Sequence, residues 1–547
     1  MTENTSQKSS LGCLPLVGIA ALVVMGGGYF AWGKLIGKPL TPLESAKVVP
    51  ESALLTSFVS TDIGHWSKLE QFGTPEAQEL FQDSFQESKK ILSEDSIDYN
   101  QDIQPWLGGT AIAILPGTKA NGDNTDFLMV LGVKNKLQLW KFANKVKEDA
   151  ELVKTKYKGV EISETNSSTD EQYSFAMVDN KVLFSNQRQT LEQAIDTIQG
   201  APSFADKLGS KQILTKGINL KNPLAQLYIS DYSKSIKDLL ELYPDNRDIS
   251  ARALDTLNQV ESLVVGVGIE PQGIRLKSAT KLNSDNNILK VLQPSSSKII
   301  DKFPEKTIML INGQGISKAW LSIVSEIESE PQLKDILNEG RSFFKSLGFD
   351  LDQDIFGWMD GEFAVGLISS RQGILANFGF GGVVVLETSD RSTSEATMKK
   401  IQAIAQGDYP FFEITNRTVE GQNFTEWNVP LQGALFGYGW LPDDSLVLAL
   451  GGSLLDTMTK ESASSLRDNP RFKTVANSLP KQNFGYLYLD MAEVMVLINN
   501  LQQFQTSLLS PEIKIIIESI EGIGMTTNAI DDSTSNIEVL FNLKSSK

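Results

Sequence analysis

The chain has 547 residues, 41% hydrophobic and 21% charged, with a net charge of −17 at pH 7 from 50 Lys+Arg against 67 Asp+Glu. That composition excludes a disordered or low-complexity chain, and an acidic surface with no Lys/Arg-rich run excludes nucleic acid as a partner. A single Cys (Cys13) and a single His (His65) exclude an intramolecular disulfide and any zinc site built from several such ligands.

Residues 1–13 form a polar N-terminal tail. The stretch 14–32, LPLVGIAALVVMGGGYFAW, carries no charge, and as a helix it would be about 28 Å long, close to the thickness of a bilayer's hydrocarbon core. Tyr29 and Trp32 stand where an aromatic belt lies, and Lys34 and Lys38 follow, placed to snorkel into head groups. A single transmembrane anchor over 14–33 is expected, with the lipid bilayer as partner through residues 14–32. A cleaved signal peptide fits less well, because the stretch ends in Tyr-Phe-Ala-Trp-Gly-Lys with no small-x-small site. A linker over 34–47 leads to the remainder.

From residue 48 the same landmarks occur twice in the same order. Pro50-Glu51 and Pro304-Glu305 each precede an apolar run, and Trp66 and Trp320 follow 16 residues after each Pro. DYNQDIQPWLGGTAIAIL from Asp98 matches DLDQDIFGWMDGEFAVGL from Asp350 at seven of 18 positions. Pro202-x-Phe204 is matched with Pro470-x-Phe472, and Glu261-Ser262 with Glu518-Ser519. The expected organisation is a tandem repeat, with domain 1 over 48–282, a linker over 283–302 and domain 2 over 303–547.

In the first half, strand patterns fall at 53–60, 109–115, 127–133, 158–163, 173–178, 181–185, 224–229, 261–269 and 272–281, with a tight hairpin at 178–182. Helical periodicity covers 75–92, 136–154, 188–198, 233–242 and 249–260. The second half echoes this at 381–386, 394–406, 434–440, 446–450 and 486–490. The expected fold class is α+β: the transmembrane helix, then two duplicated domains, each a largely antiparallel sheet with helices packed on one face.

The Asp-x-[Asn/Asp]-x-Asp segments, Asp98-x-Asn100-x-Asp102 and Asp350-x-Asp352-x-Asp354, invite a calcium reading. An EF-hand loop needs Gly sixth and Glu twelfth, but the sixth residues are Ile103 and Ile355 and the twelfth Gly109 and Gly361. The favoured reading is structural: Asp102 and Asp354 cap a short helix carrying an inward Trp106 or Trp358, ended by Gly before a strand. Trp66 and Trp320 read as core anchors. These ten residues, Asp98, Asp102, Trp106, Gly109, Asp350, Asp354, Trp358, Gly361, Trp66 and Trp320, mark a repeated structural motif. No nucleotide-binding glycine pattern, nucleophile elbow or metal cluster is present, so no enzyme activity, cofactor or metal is expected.

The Pro-Glu openings, the D-x-x-x-D-I-x-x-W-x-x-G segments and the anchor together resemble a cyanobacterial, membrane-anchored family of unknown function, the one numbered 3352 among such domains. The resemblance covers residues 40–547 and implies an exported domain, periplasmic or thylakoid-lumenal. The expected function is a membrane-tethered, non-enzymatic binding or assembly module of the cell envelope or thylakoid, with protein partners there. The alternatives are a carrier or sensor of an apolar ligand, which needs closed apolar pockets, and a hydrolase using converging carboxylates of raised pKa.

Overall fold

The structure, a computed structural model, describes residues 40–91, 98–117, 125–146, 152–165, 173–207, 210, 214, 218–241, 257–283, 288–329, 331–372, 374–408, 411–451, 454–459, 464–502 and 510–546. The chain forms two compact units: Met1–Gln71, Pro75–Pro271 and Leu276–Asp285 in the first, and Phe72–Thr74, Gln272–Arg275 and Asn286–Lys547 in the second.

The first unit's strands are β1 (Leu55–Val59), β2 (Leu107–Pro116), β3 (Thr125–Val133), β4 (Leu152–Tyr157), β5 (Val160–Thr165), β6 (Ser174–Val178), β7 (Lys181–Ser185), β8 (Pro223–Ser230), β9 (Val260–Glu270) and most of β10 (Gly273–Leu282). Pairing gives the order β4-β5-β6-β7-β3-β2-β1-β8-β9-β10. Every pair from β4 to β9 is antiparallel.

The second unit contains β11 (Thr307–Gln314), β12 (Glu362–Ser369), β13 (Phe380–Leu386), β14 (Glu413–Val419), β15 (Gln422–Val429), β16 (Gly433–Trp440), β17 (Leu446–Leu450), β18 (Tyr486–Asp490), β19 (Ile520–Asp531) and β20 (Thr534–Leu543). Its antiparallel order is β14-β15-β16-β17-β13-β12-β11-β18-β19-β20, position for position that of the first unit.

Strand alternation decides where the cores sit, since successive side chains of a strand point to opposite faces. On β13, Val383 and Val385 belong to one buried cluster with Leu310, Val447, Phe472 and Tyr488. Val384 between them packs against another, with Trp358, Met398 and Tyr438. Met398 comes from the helix Arg391–Asp408, and Phe472 and Val475 from the helix Pro470–Ser478. The first unit behaves alike. Leu128 and Val130 of β3 pack with Leu191, Ala194 and Ile195 of the helix Arg188–Ile198, whereas Phe127 and Met129 pack with Leu139 and Phe142 of the helix Lys136–Val146. Helices therefore cover both faces of each sheet, not one face as the sequence pattern implied, because the strands are apolar on both sides.

Four further expectations are corrected. The fold expected from the sequence included a transmembrane helix over 14–33. That segment lies outside the described residues, and among the described residues no helix is long and apolar enough to cross a membrane. What stands is α+β, with antiparallel sheets and packed helices. Second, the helix expected over 136–154 ends at Val146, and Leu152–Tyr157 is a strand. Lys158 and Gly159, at φ 46° and 84°, make the positive-φ turn that joins it to β5 and overrides the helical spacing. Third, Pro202-x-Phe204 and Pro470-x-Phe472 are not equivalent. Ser203 bridges Pro50 and Ser465 bridges Pro304, each heading a short turn with a reciprocal cap from Asp206 or Asp468. Likewise the partner of Ser262 in the repeat is Gly522, since Ser230 pairs with Ser262 and Asp490 with Gly522. The helix expected over 249–260 falls largely outside the described residues.

Candidate functional site

The repeated aspartate segment forms the same device in both units. Asp98 Oδ1 accepts the Gln101 N–H at 2.8 Å, and Asp102 Oδ2 accepts the Asp98 N–H at 2.7 Å. Asp350 Oδ1 accepts the N–H groups of Asp352 and Gln353, each at 2.9 Å, and Asp354 Oδ2 accepts the Asp350 N–H at 2.9 Å. The carboxylates thus satisfy the orphan donors of one wide helical turn. A lysine from the helix that follows β3 or β13 completes each: Lys145 to Asp102 at 2.5 Å and Lys400 to Asp354 at 3.3 Å. That repeated lysine was not read from the sequence. Among the described residues no cluster of His, Cys, Asp and Glu is arranged to hold a metal ion.

The four tryptophans take different places. Trp106 is buried, stacked on Phe142 with centroids 5.8 Å apart, and its indole N–H has no hydrogen-bond partner among the described residues. Trp358 is buried too, but donates to the Asp354 carbonyl at 2.8 Å. Trp66 and Trp320 are half-buried. Trp66 donates to the Ser60 carbonyl, and Trp320 donates to Asp352 Oδ1 at 2.8 Å and stacks on Phe356. Gly109 has φ 117°, and a Cβ there would meet the Leu40 carbonyl oxygen at 3.0 Å; at Gly361 it would lie 2.6 Å from the Glu387 carbonyl oxygen. His65 presents Nδ1 to the Pro223 carbonyl oxygen at 3.2 Å. These ten positions hold backbone, and they do not converge on a cavity.

A cleft does form elsewhere in the first unit. β8 ends at Ser230, and Asp231, in the left-handed region at φ 50°, turns the chain into the helix Tyr232–Glu241. Lys234, Lys237 and Asp238 recur three and four residues apart, so they share one side of that helix. With Ser233 they face Lys207, Glu51, Asn283, and Asn258, Val260 and Glu261 at the start of β9, around an open cleft of about 810 Å³. Lys237 donates to Asn258 Oδ1 at 3.2 Å, and Glu261 is paired with Lys281 at 2.9 Å. Lys207 donates to the Ala53 carbonyl at 2.9 Å and sits 5.4 Å from the centre of the Phe204 ring. Burial lowers its pKa, against the opposing pull of Asp231.

The strand end that leads into the matching helix of the second unit is built differently. Asp490 occupies the strand position of Ser230, and its side chain is fully buried. Its Oδ2 accepts from Arg471 Nε at 2.9 Å, Asn469 Nδ2 at 3.1 Å and the Tyr488 hydroxyl at 3.3 Å. Its Oδ1 accepts the Ala492 and Glu493 N–H groups and so caps the next helix. Asn469 follows Asp468 as Lys207 follows Asp206, and both reach back to a carbonyl beyond Pro304 or Pro50: Glu305 for Asn469, Ala53 for Lys207. The helix Met491–Gln502, MAEVMVLINNLQ, has no lysine. The cleft residues were missed in the sequence because they are scattered; a comparison of the two repeats at this helix carried the signal.

Carboxyls that the fold perturbs are held down. Burial would raise Glu362, but the Ser295 hydroxyl and the Ile299 and Ser297 N–H groups outweigh it and keep it below the usual carboxylate range. The Asp350 N–H, then Lys400, does the same for Asp354 against partial burial.

A family model described as "Protein of unknown function (DUF3352)" matches residues 16–543. The chain belongs to that family. No curated protein matches it. Among solved structures, crystal forms III, IV and I of TP0453 are similar to it, each at 11% identity, with TM-scores of 0.27, 0.25 and 0.25. The matches cover 46%, 43% and 45% of this chain and 83%, 79% and 81% of TP0453.

Proposed function

We propose that this family member is a non-enzymatic binding module of the cyanobacterial cell envelope or thylakoid, and that it holds a protein partner through the charged cleft of its first unit. One observation carries this reading. The first unit carries an open cleft with three lysines beside the helix that follows β8, whereas the matching helix of the second unit has no lysine and the strand before it ends in the buried, fully paired Asp490. A charged, open cleft favours a polar partner over an apolar ligand.

The test is site-specific photocrosslinking in the producing cell. A photoreactive residue at position 234 should give discrete adducts, absent when it stands at the exposed Lys345, and the K237E/D238K variant should lose them. Identical adduct patterns from positions 234 and 345 would overturn the reading.

A further inference from the structure

Lys207 is a half-buried ammonium whose one hydrogen bond goes to a neutral carbonyl, and it has no ion-pair partner among the described residues. Withdrawing an ammonium from water without a carboxylate against it is costly. The second unit shows what the place accommodates. There Asn469, the counterpart of Lys207, and Arg471 two residues further on both donate to the Asp490 carboxylate, at 3.1 and 2.9 Å. In the first unit that strand position carries Ser230, which cannot supply the negative charge. The same walls carry Asp231, Asp238 and Glu51, acids likewise without an ion-pair partner among the described residues. A ligand that completes this set brings a carboxylate to Lys207 and a cation to the acids.

We infer that the cleft binds a peptide carrying both charges, with a carboxylate seated on Lys207 and an ammonium or guanidinium against Asp231, Asp238 and Glu51. This deepens, and rests on, the reading of the cleft as a partner site. The volume of about 810 Å³ lies in the range of small-ligand sites and suits a short segment of extended chain. Burial that lowers the Lys207 pKa fits an ammonium awaiting a counter-charge.

The experiment uses the full chain and ligand-observed saturation-transfer NMR with two probes. One is triglycine, charged at its termini. The other is the pentapeptide Gly-Lys-Gly-Asp-Gly, acetylated and amidated, charged only in its side chains. We expect saturable binding of at least one probe, and at least tenfold weaker binding when its carboxylate is amidated. The K207M variant should weaken it equally, and K207R should restore it. Preference for triglycine identifies a chain terminus as the natural source; preference for the pentapeptide identifies side chains. Since the acid-to-amide comparison is made on the unaltered protein, it stands even where K207M fails to fold. If the acid and amide forms bind alike, or neither probe binds, the inference is overturned. Adducts at position 234 in cells would then still uphold the partner site, so the two failures are separable.

Discussion

Changing Asp490 to Ser gives the second unit the residue that the first has at that place. The carboxylate has no exposed area and takes hydrogen bonds from Arg471, Asn469, Tyr488 and two helix N–H groups. Removing one partner of a buried ion pair costs about 3–5 kcal/mol, because the other charge stays behind. Loss of the helix cap contributes on the order of 1 kcal/mol and is counted within that range. Arg471 remains 35% exposed, so water recovers part of its solvation and the lower end, about 3 kcal/mol, is expected. For a unit of this size each kcal/mol moves Tm by roughly 2–4 °C, so D490S should lower the second unit's Tm by roughly 6–12 °C. Calorimetry with hydrogen exchange of 486–502 localises the loss to this unit. A double replacement, R471M/D490L, should recover most of it, since an apolar pair of similar volume leaves no stranded charge. A D490S protein within 1 °C of the parent, or a double variant as unstable as the single one, would refute the reasoning.

Two further outcomes follow from the same kind of argument. Asp354 has its pKa lowered in the folded state, chiefly by the Asp350 N–H. Its contribution is therefore present above the unfolded carboxylate pKa of about 4 and is lost as pH falls through the lower folded value. The difference in urea midpoint between parent and D354N should be widest near pH 6 and vanish towards pH 3; a pH-independent difference counts against it. Gly485, at φ 146°, would place a Cβ 1.9 Å from the Asn312 carbonyl oxygen, whereas Gly421, at φ 81°, has nothing within 4 Å. G485A should fail to fold its unit, and G421A should cost only the left-handed strain of about 1–2 kcal/mol, read from urea denaturation; equal costs would show that the close approach is not decisive.

Local chemistry made much of the fold legible. The Asp179 turn at φ 54° closes the hairpin at 178–182, and β7, β17, β18 and the helix Arg188–Ile198 lie where the patterns put them. Patterning failed at Leu152–Tyr157, where a helical spacing of apolar residues ran on into a strand that only its turn could reveal. The aspartate motif was legible as a cap, but the lysine that closes it comes from 43 or 46 residues further on. The cleft was illegible for a similar reason. Glu51, Lys207, Asp231 and Glu261 meet only because β1, β8 and β9 are neighbours, and no local signal specifies that adjacency.

That adjacency also shapes how the chain is made. β1 pairs with β2 on one side but with β8 on the other, Leu55 opposite Ile229, and β11 waits in the same way for β18, Met309 opposite Leu489. At synthesis rates of roughly 5–20 residues per second, the intervening stretch leaves the ribosome in roughly 10–30 s. A strand edge left open for that interval is open to pairing with the wrong neighbour. Each half of this protein therefore has its central strand made long before one of that strand's two neighbours, and until the later strand arrives that edge has no native partner.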